Sequence, residues 1–427
     1  MEILENMQLA GAPYFNAKKW VSPQNFAPEV MTGEISKDIY IHDVTLRDGE
    51  QTCGLNWTED ERIRIAVALD EIGVQRIEVG MPVVSEDIRS AIERLVKMGL
   101  GAEIIPFARA LKGDIDASAE TGVRSIVVEH AVNPYLCKYA YDVDTEQLID
   151  RIAGAIEYAR SLGLKTTFMG WDVTRATLDY VRKVYKAVVE KSHPEAVVFT
   201  DSFGVASPLA IYRAIKALKE DLPGVRVELH IHNEFGMAMG SVVAAAYAGV
   251  DGIHASINGL GERTGNVPTE EVVTALELLL NIHTGIKLEK LAAVSRLVED
   301  ISGVPVWRNK PVMGKRLFMA ESGVVIHAKQ KLEAQGIKAA MMPYLPEIVG
   351  HEELQVVFGG SSGKASVSYF LDKLGIGCTE EEAEAILEKV KALGRAKRDI
   401  VSEEELKEII DRVREASCVE TGNNPEP

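Results

Sequence analysis

The sequence has little of what marks secreted, membrane-bound or nucleic-acid-binding proteins. Only 4 of its 427 residues are cysteines, and none of them form a Cys-x-x-Cys pair, which argues against a disulfide framework or a zinc cluster. No apolar run approaches the roughly 18 residues that span a bilayer, and the first residues lack the basic and apolar regions of a signal peptide. The formal net charge of -17 argues against binding to a phosphate backbone. We therefore expect a cytoplasmic protein without nucleic-acid or membrane partners.

The regular part of the sequence alternates short β-branched runs with amphipathic stretches. Candidate strands lie near residues 39–44, 76–80, 103–107, 125–129, 165–169, 196–200, 226–231 and 252–257. The stretches between them carry helix signals, such as a capping box that starts at Thr58 and terminal glycines at Gly73 and Gly163. Strands that alternate with helices in this way predict an α/β protein with a (β/α)8 TIM barrel over residues 39–285.

The rest of the chain lacks this alternation and is divided by composition. Residues 1–38 carry Pro and Asn turn signals, which predict an N-terminal extension. Residues 286–375 join a helix to a turn-rich segment punctuated by glycine, which predicts a linker or subdomain without an independent core. Residues 376–427 predict a C-terminal subdomain of charged amphipathic helices and a tail. We therefore expect mainly helical subdomains after the barrel.

An Asp after the first strand and two His in the seventh form a candidate metal site. Asp48 follows the first apolar run, and His230 and His232 stand two residues apart within another. Residues i and i+2 of a strand point the same way, so both imidazoles can face the barrel interior. A carboxylate with two imidazoles is a common ligand set for Mg, Mn, Zn or Fe. The alternative is a pair of buried structural histidines.

Further polar residues are predicted at the same rim, because active sites of such barrels lie at the C-terminal ends of the strands. They are, in chain order, Arg47, Glu78, His130 and Ser202. Arg47, His130 and Ser202 are expected to contact the substrate. A lone His at such a position can equally be structural, so the role of His130 stays open.

Five motifs resemble the Claisen-condensing DRE-TIM metallolyases, the group of 2-isopropylmalate, homocitrate, citramalate and Re-type citrate synthases. The motifs are Thr45–Gln51, Ile77–Gly80, Asp201–Gly204, His230–Asn233 and Asn258–Asn266. The first and the last are long and specific. The last has the Gly-Glu-Arg-x-Gly-Asn form of the synthases, whereas hydroxymethylglutaryl-CoA lyases have a Cys-bearing loop there.

The resemblance implies a divalent metal, which would be Mn, Mg, Co or Zn. Its ligands would be Asp48, His230 and His232, with Asn266 as a further or supporting ligand. A 2-oxo acid would bind this metal, and Arg47 would stabilise the alkoxide that forms when the enolate of acetyl-CoA attacks the keto carbon. Glu78 would order Arg47 or a water, or would be a structural carboxylate.

Two departures from the family pattern concern proton transfer. Trp171 stands where the synthases have a functional Glu, and Ala320 stands where they have a His that reaches the neighbouring subunit's site. His327 would be a displaced substitute for that His or a buried residue. Tyr344 matches a tyrosine that assists catalysis in the family. Trp171 would also line the substrate pocket and favour a compact substrate.

The predicted function is an acyltransferase reaction, the metal-dependent Claisen condensation of acetyl-CoA, or another acyl-CoA, with a 2-oxo acid. Oxaloacetate, which would give citrate, is the first choice, and Thr167 disfavours 2-oxoglutarate because homocitrate synthases have an arginine there. The alternatives are a homocitrate-, isopropylmalate- or citramalate-type synthase, a metal-dependent carbon–carbon lyase or aldolase, and a non-catalytic paralogue. A homodimer is expected, because the resemblance implies that the segment after the barrel, residues 286–375, crosses to the partner's active site.

Overall fold

A closed barrel of parallel strands forms the core of the larger of two compact units. The computed structural model describes residues 12–31 and 35–420. Of these described residues, one unit comprises those within Ser22–Met313, and the other comprises those up to Val21 together with those from Gly314 onward. The barrel strands are β1 (Tyr40–Asp43), β2 (Arg76–Gly80), β3 (Glu103–Arg109), β4 (Ser125–Ala131), β5 (Lys165–Trp171), β6 (Ala196–Asp201), β7 (Arg226–Ile231) and β8 (Gly252–Ala255). Each pairs in parallel with the next, and β8 pairs with β1, which confirms the predicted TIM barrel.

Helices alternate with the strands and cover the barrel. They are α1 (Glu59–Ile72), α2 (Glu86–Met98), α3 (Lys112–Glu120), α4 (Pro134–Tyr139), α5 (Thr145–Ser161), α6 (Leu178–Ser192), α7 (Pro208–Asp221), α8 (Ala238–Tyr247), α9 (Thr269–Leu279) and α10 (Leu291–Ser302). The capping box predicted at Thr58 is present, and α1 ends at Gly73 with a φ of 96°. These start and stop signals determine where each helix begins and where it ends before the next strand.

The strands are apolar because both faces of a parallel barrel sheet are buried. Inside the barrel, a small apolar core is formed by Ile105, Phe107, Val127, Met169 and Val198. Side chains alternate between the interior and the helices along each strand, so Glu129 shares the inward face of β4 with Val127. Polar side chains at inward positions therefore collect near the strand ends, where they form the candidate site.

The second unit has an apolar core of its own. Its short strands β9 (Met319–Ala320) and β10 (Gln355–Val356) pair in parallel, and its helices are α11 (Gly323–Glu333), α12 (Lys364–Leu374), α13 (Glu380–Lys397) and α14 (Glu403–Glu420). Its buried core includes Ile326, Phe358, Ile386 and Ile410. The predicted pair of C-terminal helices is confirmed. Ser402 and Glu405 exchange the hydrogen bonds of a capping box at the start of α14.

The predicted domain boundaries at residues 38, 285 and 375 stay predictions. Residues 1–11 and 32–34 of the predicted N-terminal extension, and residues 421–427 of the predicted tail, lie outside the described residues. Within the described part of the chain, none of the helices has the length and apolar character needed to cross a membrane.

Candidate metal centre and active-site cavity

Three side chains converge at the C-terminal end of the barrel with the geometry of a metal site. Asp48 follows β1, and His230 and His232 lie at and just beyond the end of β7. The Nε2 atoms of His230 and His232 lie 3.4 Å and 3.6 Å from Asp48 Oδ2, and 3.3 Å from each other. Ligand atoms about 2.1 Å from one ion and at right angles lie about 3 Å apart, so the triangle has the size that a divalent cation requires.

The protonation states of these groups also fit a divalent cation. Burial lowers the pKa of His230 to about 4, against the opposing influence of Asp48, so its imidazole is neutral near pH 7. Burial would raise the pKa of Asp48, but the Arg47 guanidinium and hydrogen bonds with both histidines hold this pKa well below its usual range. An ionised carboxylate and a neutral imidazole are the forms that bind metals.

The loop Asn258–Asn266 supplies a further candidate ligand. Asn266 Nδ2 donates to the carbonyl of Leu260 at 3.0 Å, while its buried Oδ1 has no hydrogen-bond partner among the described residues. This oxygen can therefore serve as a metal ligand. The close packing requires glycine at position 261, because a Cβ on Gly261 would lie 2.4 Å from Asn266 Nδ2 and 3.0 Å from Asp48 Oδ1.

Arg47 is fixed beside the ligands by two carboxylates. Its Nη1 donates to Asp48 Oδ2 at 3.0 Å, and its Nε donates to Glu78. Its guanidinium carbon lies 4.4 Å from the centre of the Phe107 ring. Glu78 is fully buried on β2, and although burial would raise its pKa, Arg47 and His42 lower it to about 2. The guanidinium is thus held in place where it can stabilise negative charge.

A cavity of about 280 Å³ opens onto this cluster. Phe107, Met169 and Trp171 form its apolar wall, and Thr200 and Ser202 contribute hydroxyl groups. Its volume lies at the lower end of the range for ligand pockets, so it suits a compact substrate group.

Six of the predicted site residues line this cavity. They are Arg47, Asp48, Trp171, Ser202, His230 and His232. Glu78 contacts Arg47 from below the lining, and Asn266 belongs to the adjoining loop. The structure therefore brings the predicted metal ligands and Arg47 together.

The remaining predicted site residues are His130, His327 and Tyr344. His130 Nδ1 is 2.9 Å from the carbonyl of Ala131, and its ring packs 5.0 Å from that of Tyr141. Because His130 alternates with the inward-facing Glu129, it points away from the barrel interior and is not part of the cavity lining. His327, which is exposed on α11, and Tyr344, whose ring lies 6.0 Å from that of Phe318, belong to the other unit. Their catalytic roles stay predictions.

Among the polar residues of the cavity that sequence reasoning missed are Glu129 on β4 and Thr200 on β6. Thr200 Oγ1 is buried and has no hydrogen-bond partner in the described part of the chain. The strand period could have found Thr200 but not Glu129. Thr200 is two residues before Ser202 and is paired with His230 across β6 and β7, and Glu129 is one residue before the predicted His130.

A second set of one carboxylate and two imidazoles lies deeper in the barrel. This lower cluster consists of His42, Glu228 and His254, all fully buried. Glu228 accepts from His254 Nε2 at 2.7 Å through Oε2 and from Arg76 Nη1 at 2.7 Å through Oε1. His42 Nε2 lies 3.0 Å from Glu78 Oε2. The lower cluster therefore supports Glu78, and through it Arg47, from beneath.

The chain is thus a (β/α)8 barrel whose strand ends carry a carboxylate, two histidines and an arginine, the arrangement of a candidate metal site in a barrel enzyme. The profile of the HMGL-like family matches residues 38–298, and the chain belongs to this family.

Relatives along nearly the whole chain are named as synthases. Homocitrate synthase AksA of Methanopyrus kandleri is 37% identical over 385 residues, which cover 90% of this chain and 94% of that protein. A probable 2-isopropylmalate synthase of Ignicoccus hospitalis is 37% identical over 384 residues, with coverage of 89% and 94%. The 2-isopropylmalate synthase of Methanocaldococcus jannaschii is 37% identical over 383 residues, with coverage of 88% and 71%. These relatives confirm the predicted group and the expectation of an enzyme.

Solved structures of lyases share the barrel. The HMG-CoA lyase of Bacillus subtilis superimposes with a TM-score of 0.57 at 23% identity, covering 64% of this chain and 96% of that one. The hydroxymethylglutaryl-CoA lyase of Pseudomonas aeruginosa gives the same TM-score of 0.57 at 24% identity, with coverage of 64% and 96%. At this level of identity the likeness shows the fold alone.

Proposed function

We propose that the protein catalyses a divalent-metal-dependent Claisen condensation of acetyl-CoA, or another acyl-CoA, with a 2-oxo acid. Oxaloacetate, which would give citrate, is the first acceptor to test. The observation that carries the proposal is the convergence of Arg47 and the three candidate ligands on one cavity. Relatives named homocitrate synthase and 2-isopropylmalate synthase support the same reaction type.

The residues present fit a divalent metal, which would be Mn, Mg, Co or Zn. Asp48, His230, His232 and Asn266 would hold it. When bound, such a cation supplies Lewis-acid stabilisation of oxygen charge. Arg47 contributes in the same direction, because its guanidinium lies in a buried, low-dielectric position beside the ligands and is already aligned by Glu78. It would therefore stabilise the alkoxide that develops as the new carbon–carbon bond forms.

The shape of the cavity supports a compact, polar acceptor. Trp171, Phe107 and Met169 leave little room for a branched side chain. Thr200 Oγ1 has no partner among the described residues, and Ser202 Oγ already accepts from the Asp172 N–H at 2.8 Å, so both hydroxyls can donate to a second carboxylate. Oxaloacetate has such a carboxylate. Homocitrate-, isopropylmalate- and citramalate-type acceptors are the alternatives.

The test is thiol release from acetyl-CoA with Mn or Mg present. Oxaloacetate, pyruvate, 2-oxoglutarate and 2-oxoisovalerate form the acceptor panel, and EDTA provides the metal-free control. Thiol release with one acid, abolished by EDTA and restored by added metal, would support the proposal and name the acceptor. No thiol release with any acid from folded, metal-loaded protein would contradict it, and cleavage of 2-hydroxy acids would then be tested.

A homodimer belongs to the same proposal, because the resemblance assigns the segment after the barrel to the partner's site. Light scattering of the full chain gives the mass directly, and a monomer that is fully active would contradict this part of the proposal.

A further inference from the structure

Glu129 is a titratable side chain in the cavity to which the proposed function assigns no role. It lies on the inward face of β4, is paired with Met169 of β5 in the sheet register, and lines the cavity. Its carboxylate has no hydrogen-bond partner among the described residues. The side chain is half-buried in the cavity wall, and partly desolvated carboxyl groups with shifted pKa values concentrate at functional sites.

The charged groups around Glu129 leave its oxygens available. Arg47 after β1 faces it but is already bound to Glu78 and Asp48. Arg109 at the end of β3 also faces it, but donates to Asp114 at 2.8 and 3.0 Å. The phenol of Tyr141 lies near it, beyond β4. Its neighbours on β5 and β6, which are Met169, Trp171 and Thr200, carry no charge.

Burial gives this carboxyl group the proton affinity of a base that works near neutral pH. Desolvation raises the pKa of Glu129 to about 7, although Arg47 and Arg109 act to lower it. A general base is most effective when its pKa lies near the working pH, because it is then both ionised and strongly basic.

The other acids of the cavity are committed elsewhere. Asp48 is a candidate metal ligand, and Glu78 is locked beneath Arg47. The Glu262 side chain is 50% exposed and is paired with Arg263 at 2.9 Å. In addition, Trp171 and Ala320 occupy the positions at which the resembled synthases have their functional Glu and His. The cavity therefore needs a proton acceptor, and among the described residues Glu129 is the one with uncommitted oxygens.

We propose that Glu129 is the general base that removes the proton from the methyl group of the acyl-CoA. This inference rests on the proposed function. The carboxylate takes the proton, the C–H electron pair forms the enolate, and the enolate carbon attacks the keto carbon of the 2-oxo acid. The keto oxygen becomes an alkoxide, and Glu129 returns the proton to it and is regenerated as the carboxylate. Water then hydrolyses the thioester and releases the CoA thiol.

The experiment compares the wild type with Glu129→Gln and Glu129→Asp, using the acceptor that the wild type turns over. We expect Glu129→Gln to lower kcat by about 10²–10⁴-fold and to leave the KM of the 2-oxo acid within about threefold. Glu129→Asp should recover part of the loss, because it keeps the carboxylate. In the wild type, kcat/KM should fall tenfold per pH unit below about 7, where the base becomes protonated, and the residual rate of Glu129→Gln should lose this dependence.

The matched control is Glu103→Gln, which makes the same change at the first residue of the neighbouring strand β3, at the other end of the barrel. It should keep wild-type kcat. Metal content and the thermal unfolding midpoint check that all three variants are folded.

The outcomes separate this inference from the proposed function. A wild type without thiol release overturns both. A wild type that releases thiol while Glu129→Gln keeps kcat within tenfold, with an unchanged pH profile, overturns the role of Glu129 and leaves the proposed function standing.

Discussion

The barrel contains two clusters with the same residue types and different accessibility. The upper cluster, Asp48 with His230 and His232, opens onto a cavity, whereas the lower cluster, His42 with Glu228 and His254, is fully buried. Both combine one carboxylate with two imidazoles in a triangle that could hold a cation. Residue types alone therefore do not distinguish a metal site from an internal polar layer.

The difference lies in what already satisfies the carboxylate. Glu228 is bound by Arg76, by His254 and by the hydroxyl of Tyr40 at 2.6 Å, so its charge is neutralised within the protein. In the upper cluster, Arg47 contacts the Asp48 oxygen Oδ2, and the Nε2 atoms of both histidines also lie near this oxygen. The upper cluster is reached through its cavity, whereas the carboxylate of the lower cluster is buried and already bound by three donors, so a cation is expected in the upper cluster.

The largest effect is expected from Asp48→Asn in the upper cluster. The amide removes the anionic ligand, so metal affinity should fall at least about 100-fold and thiol release should fall with it. Metal content after dialysis, measured by mass spectrometry beside activity, checks this. One equivalent of tightly bound metal in Asp48→Asn would place the metal elsewhere, with the lower cluster as the first candidate.

His254→Ala applies the same kind of change to the lower cluster and should act on stability instead. It removes the hydrogen bond to the buried Glu228 and leaves a void, which should cost about 2–4 kcal/mol of unfolding free energy. Metal content should remain that of the wild type. Urea denaturation of the metal-free proteins measures the loss.

His283→Ala is the control for that comparison, since the side chain of His283 is 72% exposed. Its unfolding free energy should stay within about 0.5 kcal/mol of the wild type. A loss of bound metal in His254→Ala, but not in His283→Ala, would show that the lower cluster is a metal site and would remove the distinction between the two clusters.

Trp171→Ala tests the cavity above the upper cluster by enlarging it. Removing the indole should raise kcat/KM for 2-oxoisovalerate relative to the preferred acceptor by about tenfold, because the apolar wall no longer excludes a branched chain. Competition between the two acids measures the ratio. Trp307→Ala is the control, as Trp307 is 79% exposed, and the same gain in both variants would contradict a role for Trp171 in acceptor size.

An effect confined to high pH is expected on the stability of Glu129→Gln. Because the pKa of Glu129 is raised from its ordinary value of 4.5 to about 7, the folded wild type is fully stabilised below pH 4.5 and loses this stability as pH rises through 7. Glutamine cannot ionise, so the variant should be more stable than the wild type by about 3 kcal/mol at pH 8 and equal to it at pH 4. Thermal unfolding at the two pH values tests this, and a difference independent of pH would contradict it.

Much of the fold could be predicted because its signals are local. Helix caps such as Thr58 and terminal glycines such as Gly73 mark the ends of the helices and so separate the strands. Eight apolar runs alternating with such helices indicate a closed barrel. Asp48 and the pair of histidines stand in short motifs whose spacing carries the geometry. These predictions did not require knowing how the strands pair or which side chains point into the barrel.

Which residues of β4 point into the barrel could not be predicted from such local signals. A strand buried on both sides shows no polar alternation, so nothing local tells whether Glu129 or His130 faces the cavity. The lower cluster was missed because its members stand on three different strands, β1, β7 and β8, and no short motif links them. The signal for Glu228 was nevertheless present, since it lies two residues before His230 and shares its face.

The carboxylates that hold Arg47 have a consequence for the order of events in catalysis. Arg47 brings one positive charge, while Asp48 and Glu78 bring two negative charges, and Glu129 and Glu262 also border the cavity. An empty cavity therefore repels anions such as 2-oxo acids, and a bound divalent cation reverses that repulsion. Binding should then be ordered, with the cation first and the acid second, so that the protein does not retain its acid substrate before it is able to use it.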